Sequence, residues 1–106
     1  MRCGSCRRKL FGPIQPVLRF ADEAEAIRLV NDSNYGLAAC VFTEGANRGP
    51  RVVKSIEAGT VCVNYGVKAV VRSPFGGYKQ SGVGKEHGRE VMVDDTQLQT
   101  DRVFHG

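Results

Sequence analysis

The sequence predicts an α/β fold, in which a partial parallel sheet has flanking helices and is followed by a C-terminal β-tail. Two apolar runs, at residues 37–43 and 60–64, lack the polar alternation of a half-exposed strand, which is typical of strands covered on both faces. Stretches with helical periodicity, at residues 22–34 and 50–58, alternate with the strands along the chain. A strand–helix–strand order of this kind favours parallel strands joined by right-handed crossovers.

Capping and breaker signals set the first elements. Residues 13–20 begin with two prolines, which suits an edge strand. Asp22, with Glu25 three residues later, forms a capping box that predicts the start of a helix. That helix is expected to end at residues 34–36, where Asn34 and Gly36 tolerate a positive φ.

The second half of the chain carries weaker signals. Pro50 suits the first turn of a helix over residues 50–58, which Gly59 ends. A glycine-rich loop then reaches Gly84, and a third helix is predicted over residues 85–94. The tail between Thr96 and Phe104 is β-capable but would make a poor edge strand alone, so we expect it to pair with another strand.

Length and composition indicate one small soluble domain. The 106 residues divide into a basic leader at 1–9, an α/β unit at 10–95 and the tail at 96–106. No apolar run approaches the roughly 20 residues that span a bilayer. Much of the net charge of +4 lies in the leader, which lacks both the aromatic residues of a nucleic-acid surface and the apolar core of a signal peptide. We therefore expect neither a nucleic-acid nor a membrane partner, and a cytoplasmic or organellar-matrix location.

The cysteines and histidines give no clear metal site. Cys3 and Cys6 form a single Cys-x-x-Cys pair, whereas structural zinc usually has four ligands. Cys40 and Cys62 lie in the strand-like runs, where cysteine behaves as a small apolar residue. His87 is one of only two histidines, and neither has partners at a ligand spacing. No metal is expected, although a small thiol or metal protein that uses the Cys-x-x-Cys pair remains an open alternative.

The glycines do not form a phosphate loop. In the segment that starts at Gly82, the third position of a dinucleotide fingerprint is His87. A Walker A loop is excluded because Gly84 and Lys85 precede Glu86, where Ser or Thr is needed, and Lys79 stands at the first glycine position.

Four segments carry a family resemblance. They are Phe-Gly-Pro-Ile at 11–14 with the following residues 16–20, Asn-Asp-Ser-Asn-Tyr-Gly-Leu-Ala-Ala-Cys-Val-Phe at 31–42, Ala-Gly-Thr-Val-Cys-Val-Asn at 58–64, and Pro-Phe-Gly-Gly-Tyr-Lys-Gln-Ser-Gly-Val-Gly at 74–84. The set resembles the aldehyde dehydrogenase family in order and spacing, over about residues 10–100. The family fold implies that the tail belongs to an oligomerisation sheet, and hence a homo- or hetero-oligomer through residues 96–104.

The resemblance also implies site residues. Phe11 corresponds to the family's phenylalanine beside the nicotinamide and its ribose. Lys9 stands where the family has a glutamate that holds the ribose hydroxyls, and an ammonium cannot accept those hydrogen bonds. Phe75 corresponds to a residue that lines the aldehyde tunnel. The implied cofactor is NAD or NADP, and the implied substrate is an aldehyde.

The resemblance leaves the reacting groups unmatched. The family's nucleophilic cysteine, general-base glutamate, oxyanion-hole asparagine and dinucleotide-binding half have no counterpart in this sequence. We therefore interpret the chain as a C-terminal fragment of an NAD(P)-dependent aldehyde dehydrogenase, an enzyme that oxidises an aldehyde to an acid, and expect no catalysis and no cofactor binding by the chain alone. A non-catalytic subunit that associates with full-length dehydrogenase is the other alternative.

Topology predicts where the site lies. Ligands of parallel α/β sheets bind outside the carboxyl ends of the strands. The loop at residues 74–84 follows the strand that ends at Asn64, so we expect it at that edge, with Phe11 and Phe75 bordering one cleft.

Overall fold

The computed structural model describes residues 12–68 and 70–106, and it confirms the α/β class. Its elements are α1 (Glu23–Asn31), β1 (Tyr35–Gly36), β2 (Ala38–Val41), α2 (Arg48–Val53), β3 (Thr60–Val63), β4 (Tyr78–Lys79) and α3 (Val91–Asp95). No helix among the described residues is long and apolar enough to cross a membrane.

Two pairs of strands form the sheets. β2 and β3 are parallel, with Ala38 opposite Thr60, and α2 connects them. This confirms the predicted parallel arrangement for one strand–helix–strand unit. β1 and β4 form a separate antiparallel pair, with Tyr35 opposite Lys79, that the sequence analysis did not predict.

The capping box of α1 is confirmed. Asp22 Oδ1 accepts a hydrogen bond from the Glu25 amide at 2.8 Å. Glu25 Oε2 in turn accepts one from the Ala21 amide at 2.8 Å. The reciprocal pair satisfies amides that a helix start leaves without intrahelical partners, so α1 begins where the sequence predicts.

Three predicted elements differ from the structure. Residues 13–20 form no strand, because prolines cannot donate ladder hydrogen bonds and no described strand pairs with them. The second helix covers Arg48–Val53, and residues 54–58 turn toward β3 instead of continuing it. The third helix is only Val91–Asp95, because His87 and Gly88 have positive φ values of 62° and 67°.

The tail carries no strand within the described chain. Leu98 and Phe104 are almost fully exposed, at 99% and 94%. An extended segment gains ladder hydrogen bonds only beside another strand. Pairing of residues 96–104 therefore stays a prediction.

A close contact holds α2 against β3, and Glu23 joins α1 to α2 through ion pairs with Arg48 and Arg51. A Cβ placed on Gly49 of α2 would lie 2.6 Å from Val63 Cγ1, so only glycine allows this approach. Glu23 of α1 accepts from the guanidinium of Arg51 at 3.0 and 2.7 Å. The hydrogen bond from Arg51, with its positive charge, lowers the pKa of Glu23.

Much of the apolar surface remains uncovered. Val52 and Cys62 are the only buried hydrophobic side chains among the described residues. The accessible surface is 9383 Å², whereas a folded protein of this mass exposes roughly 5800 Å². A groove of about 560 Å³ lies open between α1, β2 and α2. Its apolar walls include Phe20, Ile27, Val30, Val41, Phe42 and Ile56.

Candidate functional site

The loop that carries Phe75 lies at the amino edge of the parallel strands. A Cβ placed on Gly59, just before β3, would lie 1.7 Å from the carbonyl oxygen of Gly76. The amide of Gly36, shortly before β2, donates to Ser81 Oγ at 2.8 Å. The expectation that this loop lies at the carboxyl edge is therefore wrong.

The segment between β3 and the loop explains the difference. Asn64 leaves β3 with a φ of 59°, a left-handed conformation that asparagine tolerates. The segment from Asn64 to Pro74 is much longer than β3, which has four residues. At up to about 3.3 Å per residue, this segment is long enough to bring the chain back along the whole length of the strand. The rule on ligand position concerns loops that directly follow a strand, and this loop follows a long return segment.

Phe75 is half-buried and held by its own backbone. Its amide donates to the carbonyl of Glu86, and the Glu86 amide donates back, each at 2.7 Å. The pair closes the glycine-rich segment into a fixed loop. Phe75 borders a cleft of about 390 Å³. The other non-glycine residues at this cleft are Leu37, Ser81, Val83, Lys85, Glu86, Asp94 and Asp95.

Lys85 holds the loop from inside the cleft. Its Nζ donates to the carbonyls of Gly76 at 3.2 Å and Gly77 at 3.4 Å, and lies 5.1 Å from the centre of the Tyr78 ring. Its amide donates to Asp94 Oδ2 at 2.9 Å. The ammonium group therefore fixes backbone carbonyls of the loop on the cleft's floor.

Lys79 ties the loop to the end of α1. Its Nζ donates to the carbonyls of Asn31 at 2.8 Å and Ser33 at 3.0 Å, and lies 2.6 Å from Glu57 Oε2. A cation at the carboxyl end of a helix also opposes the partial negative charge there. The sequence did not mark Lys79, Ser81 or Lys85 as residues of the site. The available signal is a lysine within a glycine-rich loop, whose many carbonyls need donors.

The cysteines of the described strands, Cys40 and Cys62, are not among the residues that line this cleft, and its one hydroxyl side chain, Ser81, accepts a hydrogen bond from the Gly36 amide. Lys9 and Phe11 lie outside the described residues, so their predicted meeting with Phe75 stays a prediction. The geometry of this cleft supports a role in positioning a bound molecule.

A second hollow lies at the carboxyl edge of the sheet. It measures about 770 Å³ and has Glu44, Arg48 and Asn64 among its lining residues. The side-chain amide of Asn64 closes two hydrogen bonds with the backbone of Thr43, accepting at 2.8 Å and donating at 2.9 Å. This clasp joins the ends of β2 and β3.

Two further polar groups lie outside both hollows. Tyr65 lies near the Cys62 thiol, and interaction with that thiol raises the pKa of the phenol. His87 Nδ1 is buried and has no hydrogen-bond partner among the described residues. The described residues contain no group of three metal-ligating side chains.

Comparison with known proteins identifies the family to which the chain belongs. A model described as the aldehyde dehydrogenase family matches residues 4–100. Betaine aldehyde dehydrogenases of Brucella ovis and Brucella canis are each 47% identical to the chain over 94 residues, which are 89% of the chain and 19% of the relative. The chain thus spans about a fifth of the length of these curated relatives.

Solved structures agree with the sequence match. Betaine aldehyde dehydrogenase from Staphylococcus aureus in complex with NAD+ superposes with a TM-score of 0.68 at 44% identity, over 71% of this chain and 15% of that one. Mycobacterium tuberculosis aldehyde dehydrogenase complexed with NAD+ gives a TM-score of 0.69 at 41% identity, over 74% of this chain and 16% of that one.

Proposed function

Because the chain belongs to the aldehyde dehydrogenase family, we propose that it is a C-terminal part of an NAD-dependent aldehyde dehydrogenase and that it acts only when the rest of the catalytic unit is present. The observation that carries this proposal is the excess surface, 9383 Å² where roughly 5800 Å² is expected. A face as apolar as the groove beside α1 requires a cover, and about four-fifths of each relative's length lies outside the matched part and can supply it.

The part that this chain contributes is the wall of the aldehyde site. Phe75 borders the amino-edge cleft, and Lys79, Ser81 and Lys85 hold its loop in place. A fixed aromatic wall orients a substrate at low entropic cost. The thiol, the base and the oxyanion donors must then come from the remaining part of the enzyme.

The described residues do not by themselves fit a dinucleotide. The hollow at the end of β2 contains the carboxylate of Glu44, and α2 has only six residues. A phosphate-binding loop instead needs several free amides and a helix of useful length behind them. NAD is therefore held mainly by the missing part, and the solved complexes with NAD+ favour it as the cofactor to test.

Betaine aldehyde is the first substrate to test, since the Brucella relatives at 47% identity carry that name. It combines an aldehyde with a quaternary ammonium group. A ring such as that of Phe75 attracts such a cation over its face. Three carboxylates line the cleft, from Glu86, Asp94 and Asp95, against the single ammonium of Lys85, so the charge around it is negative on balance.

Residues 96–104 are the proposed contact with a neighbouring subunit. Support comes from Leu98, Val103 and Phe104, which are 99%, 74% and 94% exposed. Deletion of residues 96–106 in a complete enzyme should lower the oligomeric state measured by analytical ultracentrifugation. If the number of subunits per particle is unchanged by the deletion, the contact lies elsewhere.

The decisive experiment compares the chain alone with a complete enzyme. Residues 9–106 are grafted onto the upstream part of a betaine aldehyde dehydrogenase, and NADH formation is followed at saturating betaine aldehyde and NAD. The graft should turn over, and the chain alone should match a heat-inactivated sample. Turnover by the chain alone would refute the proposal, and so would an inactive graft that is folded and binds NAD.

Phe75 is tested in the same graft. Phe75→Leu should raise the KM for aldehyde roughly tenfold, from the loss of about 1–2 kcal/mol of apolar contact, and leave the KM for NAD unchanged. Val71→Ala, at an exposed side chain outside both the cleft and the groove, is the control. Equal effects of the two variants would contradict a role of Phe75 in the aldehyde site.

Lys9 is tested through the cofactor. Lys9→Glu in the graft should tighten NAD, because each restored ribose hydrogen bond to a charged acceptor contributes about 1.5–3 kcal/mol. If the graft with Lys9 and its Lys9→Glu variant have the same NAD dissociation constant, residue 9 does not contact the ribose.

A further inference from the structure

Two free thiols lie side by side on one face of the parallel strands. Cys40 of β2 and Cys62 of β3 are partners in the strand register. Side chains alternate along a strand, so both lie on the face opposite Val63, which contacts Gly49 of α2. Cys62 is 3% exposed, whereas Cys40 is open to solvent. The proposed aldehyde site uses neither thiol.

Strand spacing favours a bridged pair over a direct disulfide. Neighbouring strands lie about 4.7–4.9 Å apart. The Cβ atoms of a disulfide lie only about 3.5–4.5 Å apart, so a direct bond requires the strands to move. If an ion lies in line between two thiolates at about the 2.3 Å of a zinc–thiolate bond, the two sulfur atoms are about 4.6 Å apart, close to the strand spacing. The register therefore suits a two-coordinate ion.

The ligand set selects the kind of ion. Zinc takes four ligands in structural sites, and no third His, Cys, Asp or Glu joins a cluster among residues 12–68 and 70–106. Soft thiolates with low coordination select Cu(I). The Tyr65 hydroxyl beside Cys62 can donate a hydrogen bond to the sulfur and stabilise its negative charge.

We propose that Cys40 and Cys62 bind one Cu(I) ion as a two-thiolate bridge between β2 and β3. Two S–H bonds break, their protons go to solvent, and two Cu–S bonds form. Copper remains Cu(I), so no oxidant or reductant takes part.

The test uses the full chain carrying Cys3→Ser and Cys6→Ser, which removes the other thiol pair. Cu(I) is titrated anaerobically against a coloured Cu(I) chelator, and Zn(II) is titrated in parallel. We expect about one equivalent of Cu(I) and no Zn(II). Adding Cys40→Ser should abolish uptake at the same chelator concentration. Ala38→Ser, exposed on the same face of β2, should retain it.

Circular dichroism checks that each variant is folded. We expect Cys40→Ser to keep the fold, because Cys40 is exposed and the buried Cys62 stays in place. Equal Cu(I) uptake with and without Cys40→Ser would overturn the proposal. Uptake that persists in concentrated urea would also overturn it, because an unfolded chain has no strand register. Loss of copper in urea together with loss in Cys40→Ser supports the bridge.

Discussion

Gly59 is the position where a single methyl group should disturb the candidate site most. A Cβ at Gly59 would lie 1.7 Å from the Gly76 carbonyl oxygen, where real Cβ atoms keep about 3.0 Å from other atoms. The contact is with backbone, so the loop itself must move by more than 1 Å. Inserting a methyl group into a packed contact costs about 1–3 kcal/mol. Gly59→Ala should therefore open the Phe75–Glu86 bridge roughly 5- to 150-fold more often.

Hydrogen exchange of the Phe75 and Glu86 amides measures that opening, because each donates across the bridge at 2.7 Å. Gly66→Ala is the matched control, since nothing lies within 4 Å of a Cβ there. In the grafted enzyme, Gly59→Ala should also lower kcat/KM for aldehyde, because displacement of a positioning group by about 1 Å can cost on the order of 100-fold in rate. Unchanged exchange in Gly59→Ala would refute the close approach of this loop to the sheet.

Three further variants test other contacts. Lys79→Met should speed hydrogen exchange of the Gln80 amide, because the carbonyls of Asn31 and Ser33 lose a charged donor at about 1.5–3 kcal/mol each. Lys68→Met, at an exposed lysine, is the control, and equal exchange in the two variants would contradict the role of the Lys79 contacts. Asn64→Ala should lower the free energy of unfolding by about 1–3 kcal/mol through two lost hydrogen bonds, and a urea midpoint equal to wild type would rule this out. The pKa of Glu23 is lowered when folded, so its contribution is full above its unfolded pKa and is lost as pH falls through the folded value. Glu23→Gln should flatten this acid dependence, and a midpoint that still falls with pH to the same extent would count against the ion pair with Arg51.

Local signals in the sequence predicted the parts of the fold that local interactions determine. The capping box at Asp22 sets the start of α1 through contacts within four residues. The apolar runs predicted β2 and β3, because a strand covered on both faces needs continuous apolar residues. Register followed only from the structure, as no local pattern states which residue of β3 lies beside Ala38.

Long-range contacts explain what the sequence did not predict. The antiparallel β1–β4 pair joins two-residue strands, which are too short to show alternation. The amino-edge position of the Phe75 loop depends on the return of the chain after Asn64, a path fixed by tertiary contacts such as Gly59 with Gly76. The family resemblance indicated Phe75 as a site residue. The lysines that hold its loop, Lys79 and Lys85, are recognised only from their hydrogen bonds in the structure.

The two strand pairs differ in how much chain separates them, and this sets an order of assembly. Ala38 and Thr60 are separated by half as many residues as Tyr35 and Lys79. Closing the shorter loop costs less entropy, so the β2–α2–β3 unit can form first and serve as the template. The β1–β4 pair, and with it the Phe75 loop, then joins last and opens first under stress. Mild destabilisation should thus remove the aldehyde-lining wall while the parallel pair persists.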